Sequence, residues 1–253
     1  MELNEFFAKN RRIAIGFSGG VDSAYLLLSA VECGAEVTAY YVKTAFQPQR
    51  EYDEVVAFAN KLGVRLEIIT YDIFKNSNII KNDIDRCYHC KLAMFSAIAK
   101  RAKQDQFSVI CDGTNASDDT TDRPGLRALA ELQIVSPLAM CGVTKAMVRT
   151  RLKEADISFY NKPAYACLAT RIPSLVAVTQ EKLHIIEQAE NKLFSLGFTE
   201  FRVKLGNTTA LCFAEYELNK AQQMAHILQL ELNDICGETE VQLLHKNEKQ
   251  WLI

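Results

Sequence analysis

Residues Ile13–Ser23 read IAIGFSGGVDS, and the reading of this stretch decides the fold. Ile13–Phe17 is an apolar run with no polar face, the pattern of a strand covered on both sides in a parallel sheet. A pair of glycines flanked by serines follows at once. Val21–Cys33 then predicts a helix with Tyr25 and Leu28 on one side. Gly19 and Gly20 let the backbone turn tightly and approach a ligand. The helix start offers free N–H groups and the positive end of its dipole, and Ser18 and Ser23 add hydroxyl donors. Strand, glycine turn and helix start in this order make a phosphate cradle. It has neither the lysine of G-x-x-x-x-G-K-[ST] nor the spacing of G-x-G-x-x-G.

Outward from this loop the chain alternates. Strands are expected at Glu36–Val42, Arg65–Tyr71, Phe107–Thr114 and Gln133–Leu138. Helices are expected at Tyr52–Gly63, Tyr88–Ala102 and Thr144–Ala155, the last opened by a threonine cap. Strand and helix in alternation with short connections imply an α/β fold, a parallel sheet with both faces covered. Ligands of such sheets bind at the carboxyl ends of the strands, which points to the loops after Phe17, Val42, Tyr71 and Cys111. Near residue 156 the pattern changes. Ile157–Leu175 is irregular with two prolines, followed by a helix over Thr179–Leu196, strands at Phe201–Leu205 and Ala210–Phe213, a helix over Glu217–Leu230 and a strand at Glu240–Leu244. We therefore expect a nucleotide-binding domain over 1–160 and a smaller α+β domain over 161–253, serving substrate binding or oligomerisation.

Composition narrows the function classes. The 253 residues are 49% hydrophobic and 24% charged, ordinary for a globular protein. A net charge of −2 argues against a large nucleic-acid partner. No apolar run approaches the ~18 residues of a membrane span, and MELNEFFAKNRR has no signal-peptide pattern, so a cytoplasmic location is expected. Eight cysteines in such a chain suggest metal binding, catalysis or burial before disulfides.

Two further segments carry chemistry. Cys111–Gly125 reads CDGTNASDDTTDRPG. Its Asp112, Asp118, Asp119 and Asp122 are oxygen ligands suited to Mg2+ beside a triphosphate. Gly113 and Asp122 are candidates for nucleotide contact, and Arg123 could hold a phosphate as a bidentate fork. Arg86–Lys91 reads RCYHCK. Thiols near a helix start, between Arg86 and Lys91, should have lowered pKa values. Cys87 and Cys90 lack the two further ligands of a structural zinc site. Cys167, in KPAYACLATRIP, could reach the mouth of the sheet; three thiolates suit a 4Fe–4S cluster with one iron lacking a protein ligand. Cys33, Cys212 and Cys236 read as core, and Cys111 and Cys141 stay open.

SGGVDS after a strand resembles the pyrophosphate loop of the PP-loop ATP pyrophosphatases. The order SGGVDS, RCYHCK, DGTNASDD with TTDRPG, SPL and CLATRIP resembles, over residues 11–205, the ATP-dependent sacrificial sulfur transferases of the LarE type. The resemblance implies adenylation of a carboxylate of pyridinium-3,5-biscarboxylic acid mononucleotide by ATP, then sulfur delivery to give a thiocarboxylate, in nickel-pincer cofactor synthesis. Asp22 would hold Mg2+ or position the phosphates. Members with one cysteine, at the position of Cys167, sacrifice its sulfur. Members with three hold a 4Fe–4S cluster, and Cys87, Cys90 and Cys167 match that type. Lys91 matches a lysine near the adenylated carboxylate, Arg171 and Arg202 match residues holding substrate phosphate, and Glu190 matches an acidic position. A small nucleotide substrate, sulfide or a sulfur-donor protein, and a homo-oligomeric assembly are implied as partners. The chain departs from the pattern where Gly206 replaces a histidine and Cys212–Phe213 replace Ile–Glu. Alternatives are a PP-loop tRNA thiolation enzyme, a zinc-containing ATP-dependent amidating or ligating enzyme, and a nucleotide-binding redox regulator.

Overall fold

The computed structural model describes residues 1–118, 124–206, 209–237 and 241–245. The chain divides into two compact units, one of Met1–Ile73 with Cys87–Tyr165, the other of Phe74–Arg86 with the chain from Ala166 onward. In the first unit a short helix, α1 (Leu3–Lys9), leads into β1 (Arg12–Gly16), whose Ile13, Ala14 and Ile15 expose no surface. α2 (Val21–Glu32) buries Ala24, Leu26 and Leu27. β2 (Glu36–Lys43) follows, then α3 (Gln49–Leu62), which starts after Pro48 and stops at Gly63. Gly63 is left-handed (φ 66°) and its N–H reaches the carbonyls of Ala59 and Asn60, a helix stop that glycine permits without Cβ strain. β3 (Arg65–Thr70) precedes the segment belonging to the second unit, which holds α4 (Ser77–Ile80). The first unit resumes in α5 (Arg86–Gln104) and continues through β4 (Ile110–Cys111), α6 (Pro124–Glu131), α7 (Pro137–Met140) and α8 (Lys145–Glu154).

The four strands are parallel in the order β3-β2-β1-β4. Ile13 and Ile15 of β1 join one core cluster and Ala14 another, so both faces of the strand are covered and its sequence is apolar without alternation. On one face Leu27, Val148, Leu152 and Ile157 join a continuous core. Phe58 of α3 packs its ring 5.7 Å from Phe17 and 4.5 Å from Phe159.

Three sequence expectations change. The strand expected over Phe107–Thr114 shrinks to Ile110–Cys111, where β1 lies on one side and a single bridge to Val135 on the other. The strand expected over Gln133–Leu138 is only that bridge. Pro137 has no N–H for a ladder, and its fixed φ suits the first turn of a helix, so α7 begins there. The single helix expected over Glu217–Leu230 is two, broken at Met224.

The second unit contains α9 (Gln180–Ser195), capped by Thr179, whose hydroxyl accepts from the Lys182 N–H at 3.2 Å. β5 (Phe201–Leu205), β6 (Thr209–Phe213), α10 (Glu215–Gln223), α11 (Ala225–Cys236) and β7 (Val241–His245) complete it. The sheet order is β5-β6-β7, the first pair antiparallel and the second parallel. Leu193, Phe198, Leu211, Phe213, Leu228 and Leu232 form its core. No helix among the described residues is long and apolar enough to cross a membrane.

Asn82 ties the inserted segment into this unit. It is 1% exposed and left-handed (φ 60°). Its amide donates to the carbonyls of Pro173 (2.8 Å), Val176 (3.1 Å) and Ile172 (3.4 Å), and its own carbonyl accepts from Leu175 at 2.9 Å. Asn82→Ala should lower the stability of this unit by about 2–3 kcal/mol in urea denaturation, because buried carbonyls lose their donor. Asn82→Gly relieves the backbone but also removes the amide, and should lose nearly as much.

Candidate active site

The chain runs from β1 to β2 and β3 on one side, then returns to place β4 on the other side of β1. Loops leaving neighbouring strands in opposite directions open a crevice at their carboxyl ends. Here the crevice lies between Phe17–Val21 and Asp112–Asn115, and a cavity of about 450 Å3 occupies it. Ser18, Gly20, Asp22 and Ser23 line one wall, Asp112 and Gly113 another, and Cys87 and Lys91 a third.

The glycines are required by close approach. A Cβ on Gly113 would stand 2.8 Å from the Ser23 nitrogen, so a side chain would push the β4 loop off the first turn of α2. Gly19 has φ 74°, and a Cβ there would meet Val55 at 2.6 Å. Gly20 caps α2. Its N–H reaches the Ser18 hydroxyl at 3.3 Å, and the Ser23 hydroxyl lies 3.1 Å from both the Gly20 carbonyl and the Ser18 oxygen. The Ser18 hydroxyl thus occupies, as acceptor, the place on the Gly20 N–H that a phosphate oxygen would contest.

Asp22 Oδ2 accepts from Lys145 Nζ at 2.6 Å, and its Oδ1 is buried with no hydrogen-bond partner. A buried carboxylate oxygen left so is costly. Asp112, 4% exposed, accepts from the hydroxyls of Ser136 (2.6 Å) and Thr114 (2.5 Å), with Lys91 Nζ 4.0 Å away. Two carboxylates on the two walls are hard oxygen donors of the kind Mg2+ takes. Within neither unit do three His, Cys, Asp or Glu side chains among the described residues already form a ligand cluster. A cation here would complete its shell with phosphate oxygens and water, as Mg2+ commonly does. Asp118 lines the cavity and accepts from the Asn115 N–H at 3.0 Å. Asp119, Asp122 and Arg123 lie outside the described residues.

Cys87 and Cys90 fall in the first turns of α5, which begins at Arg86 rather than at Tyr88. Residues three apart share a helix face, so the pair fits in kind as two thiol ligands of one cluster. Cys87 is exposed and Cys90 half-buried, its Sγ 3.6 Å from Met94 Sδ. His89 lies against the Tyr88 ring. Cys111 is core: burial, with Asp112 adding to it, pushes its thiol up to about 12. Cys33 and Cys141 line a separate groove between α1, α2 and α8. Burial raises both thiols, disfavouring the thiolates that metal binding needs.

In the second unit Cys167 precedes the 3-10 turn Leu168–Arg171. Cationic side chains cap this turn. Arg171 donates to the carbonyls of Ala166 (2.7 Å) and Cys167 (3.3 Å), Arg86 to that of Ala169 (3.1 Å) and Lys204 to that of Thr170 (2.7 Å). Arg171 has no exposed surface, and its Nε pairs with Glu190 Oε1 at 2.8 Å. Its guanidinium is thus turned to the Cys167 segment and to Glu190. Glu190 is 2% exposed and also accepts from the Val203 N–H at 3.3 Å. Arg202 does stand exposed on β5. Phe213, where the family pattern has a carboxylate, packs on Phe198 with ring centroids 4.9 Å apart.

Three lysines escaped the sequence reading: Lys145 on Asp22, Lys162 on the Gly19 carbonyl at 2.8 Å, and Lys204. Only Lys145 left a trace, as a cation in the first turn of a helix, where the dipole disfavours it.

No family model matches the chain. An uncharacterized protein of Methanocaldococcus jannaschii is 33% identical over 218 residues, 86% of this chain and 83% of the relative. An uncharacterized protein of Synechocystis is 30% identical over 203 residues, covering 80% and 76%. The pyridinium-3,5-bisthiocarboxylic acid mononucleotide synthase of Lactiplantibacillus plantarum is 29% identical over 202 residues, covering 79% and 73%.

Glu190→Gln should cost the second unit about 3–5 kcal/mol in chemical denaturation, since it leaves the buried Arg171 charge uncompensated. A loss below about 1 kcal/mol would mean that solvent reaches the pair.

Proposed function

This chain belongs to the LarE-like family of its relatives, and on that premise we propose that it is an ATP-dependent sulfur transferase acting on pyridinium-3,5-biscarboxylic acid mononucleotide in nickel-pincer cofactor synthesis. The activity named for the Lactiplantibacillus plantarum relative supports the substrate class. The observation that carries the reading is the buried, partnerless Oδ1 of Asp22, at the mouth of the SGGVDS loop.

In the proposed reaction the N–H groups of the loop and α2 hold the ATP phosphates, and Asp22 would hold a Mg2+ ion, which would supply charge neutralisation of the phosphates. A carboxylate oxygen of the substrate attacks the α-phosphorus, the bond to the bridging oxygen breaks, and pyrophosphate leaves. Lys91, beside Asp112, offers an ammonium to the charge on the resulting acyl-adenylate. A sulfur nucleophile then adds to the carbonyl carbon, and collapse expels AMP and leaves the thiocarboxylate. Cys87, Cys90 and Cys167 are the residues proposed to hold a 4Fe–4S cluster, which when bound supplies a sulfide on its open iron. Arg202 is proposed for the substrate phosphate. Sulfide or a sulfur-donor protein, a homo-oligomer and a cytoplasmic site belong to the same proposal.

With ATP, Mg2+ and the mononucleotide, pyrophosphate should be released, and Asp22→Asn should slow release by about 10²–10³-fold, the range seen when one electrostatic group is removed. Release driven by tRNA and not by the mononucleotide would refute the substrate. Anaerobic reconstitution should load iron in the parent chain, and Cys87→Ala, Cys90→Ala and Cys167→Ala should each reduce it. Iron content unchanged in all three would remove the cluster.

A further inference from the structure

We propose that Lys162 is a positioning residue of the nucleotide loop, acting through the Gly19–Gly20 peptide to aim and strengthen the Gly20 N–H toward a bound phosphate chain. The proposal rests on the nucleotide reading of that loop.

Lys162 Nζ donates to the Gly19 carbonyl at 2.8 Å and pairs with Glu54 Oε2 at 2.5 Å, and its side chain is 17% exposed. The residue is held from every side. Its N–H donates to the Phe159 carbonyl at 3.0 Å, and its own carbonyl accepts from Arg149 Nη2 at 3.0 Å. Its ammonium lies 5.0 Å from the centroid of the Phe159 ring, which packs on Phe58 at 4.5 Å. The acceptor is equally constrained. Gly19 is left-handed and lies against Val55 of α3 so closely that a Cβ would not fit, so only glycine holds this turn.

The carbonyl of Gly19 and the N–H of Gly20 belong to one trans planar peptide and point opposite ways. An ammonium on the oxygen draws electron density from the nitrogen and makes the N–H a stronger donor, the polarisation that runs along hydrogen-bond chains. Gly20 is the cap of α2, so this N–H is among those the helix leaves unpaired. Its partner is the Ser18 hydroxyl at 3.3 Å, a long bond that a phosphate oxygen can replace. Glu54 pairs with the ammonium and holds it in place. The Glu54 carboxylate and the Phe159 ring compensate the charge of the half-buried ammonium where it meets the carbonyl.

The test is binding of ATP and of AMP to the full chain with Mg2+, by titration calorimetry, in Lys162→Met and Lys162→Arg. Lys162→Met should weaken ATP about tenfold, the size of one charge-assisted hydrogen bond, and leave AMP within about twofold, because AMP has no pyrophosphate for the loop to hold. Lys162→Arg should recover most of the ATP affinity. Unchanged ATP affinity in Lys162→Met would overturn the proposal while the nucleotide reading stands. Equal loss of ATP and AMP in both variants, with lowered thermal midpoints, would also overturn it by assigning Lys162 to the fold. Failure of the parent chain to bind either nucleotide would instead refute the nucleotide reading, and the proposal with it.

Discussion

The backbone of Gly113 lies against the first turn of α2, so near that a Cβ there would stand 2.8 Å from the Ser23 nitrogen and 3.0 Å from its Cα. The arrangement of the first unit depends on this approach. It holds the loops of β1 and β4 together at the point where the chain changes direction across the sheet, and so brings Asp22 and Asp112 to opposite walls of one crevice. It also leaves the N–H groups of α2 facing the opening. Interiors pack densely and do not absorb an extra methyl without displacement, so glycine at this position is a geometric requirement of the site.

Cations serve two purposes in this chain. At the crevice, Lys91 and Lys145 face carboxylates and stay partly open to solvent. Around Cys167, Arg86, Arg171 and Lys204 are spent on backbone carbonyls. Burial lowers the Lys204 pKa, with Arg171 and Arg202 adding to it, and Cys212 opposes. Three cations on one short turn would repel each other in a dry interior. The Glu190 carboxylate, bonded to Arg171 and to β5, is the buried counter-charge that permits it. The cysteine is thereby presented on a turn whose carbonyls are already satisfied.

Much of this was legible in the chain. The unbroken apolar run at Ile13–Phe17, the glycine pair and the helix that follows identify the central strand, the loop and α2. Helix limits were close where a capping residue marked them, as Thr144, Thr179 and Gly63 did. The reading failed where no local signal exists. β4 is short because it pairs β1 at only Ile110 and Cys111, and the extent of that pairing is set by distant sequence. The break at Met224 carries no proline or glycine. The segment holding Asn82 joins the second unit across a sequence separation of about 90 residues, which periodicity does not report. The pairing of Arg171 with Glu190 also left no local signal, because a side chain's burial depends on what packs over it.

The sequence by itself determined the local chemistry: a glycine–serine turn between strand and helix, a carboxylate-rich loop, three cysteines in two segments and a parallel α/β pattern. These follow from side-chain type and short spacing, which act over a few residues. Only the tertiary structure decided which charges meet. Lys145 reaches Asp22 and Lys162 reaches Gly19 across more than a hundred residues, and Arg171 turns inward. Such pairings arise because burying one charge demands another nearby, and the partner is chosen by the packing of elements that the local sequence cannot see.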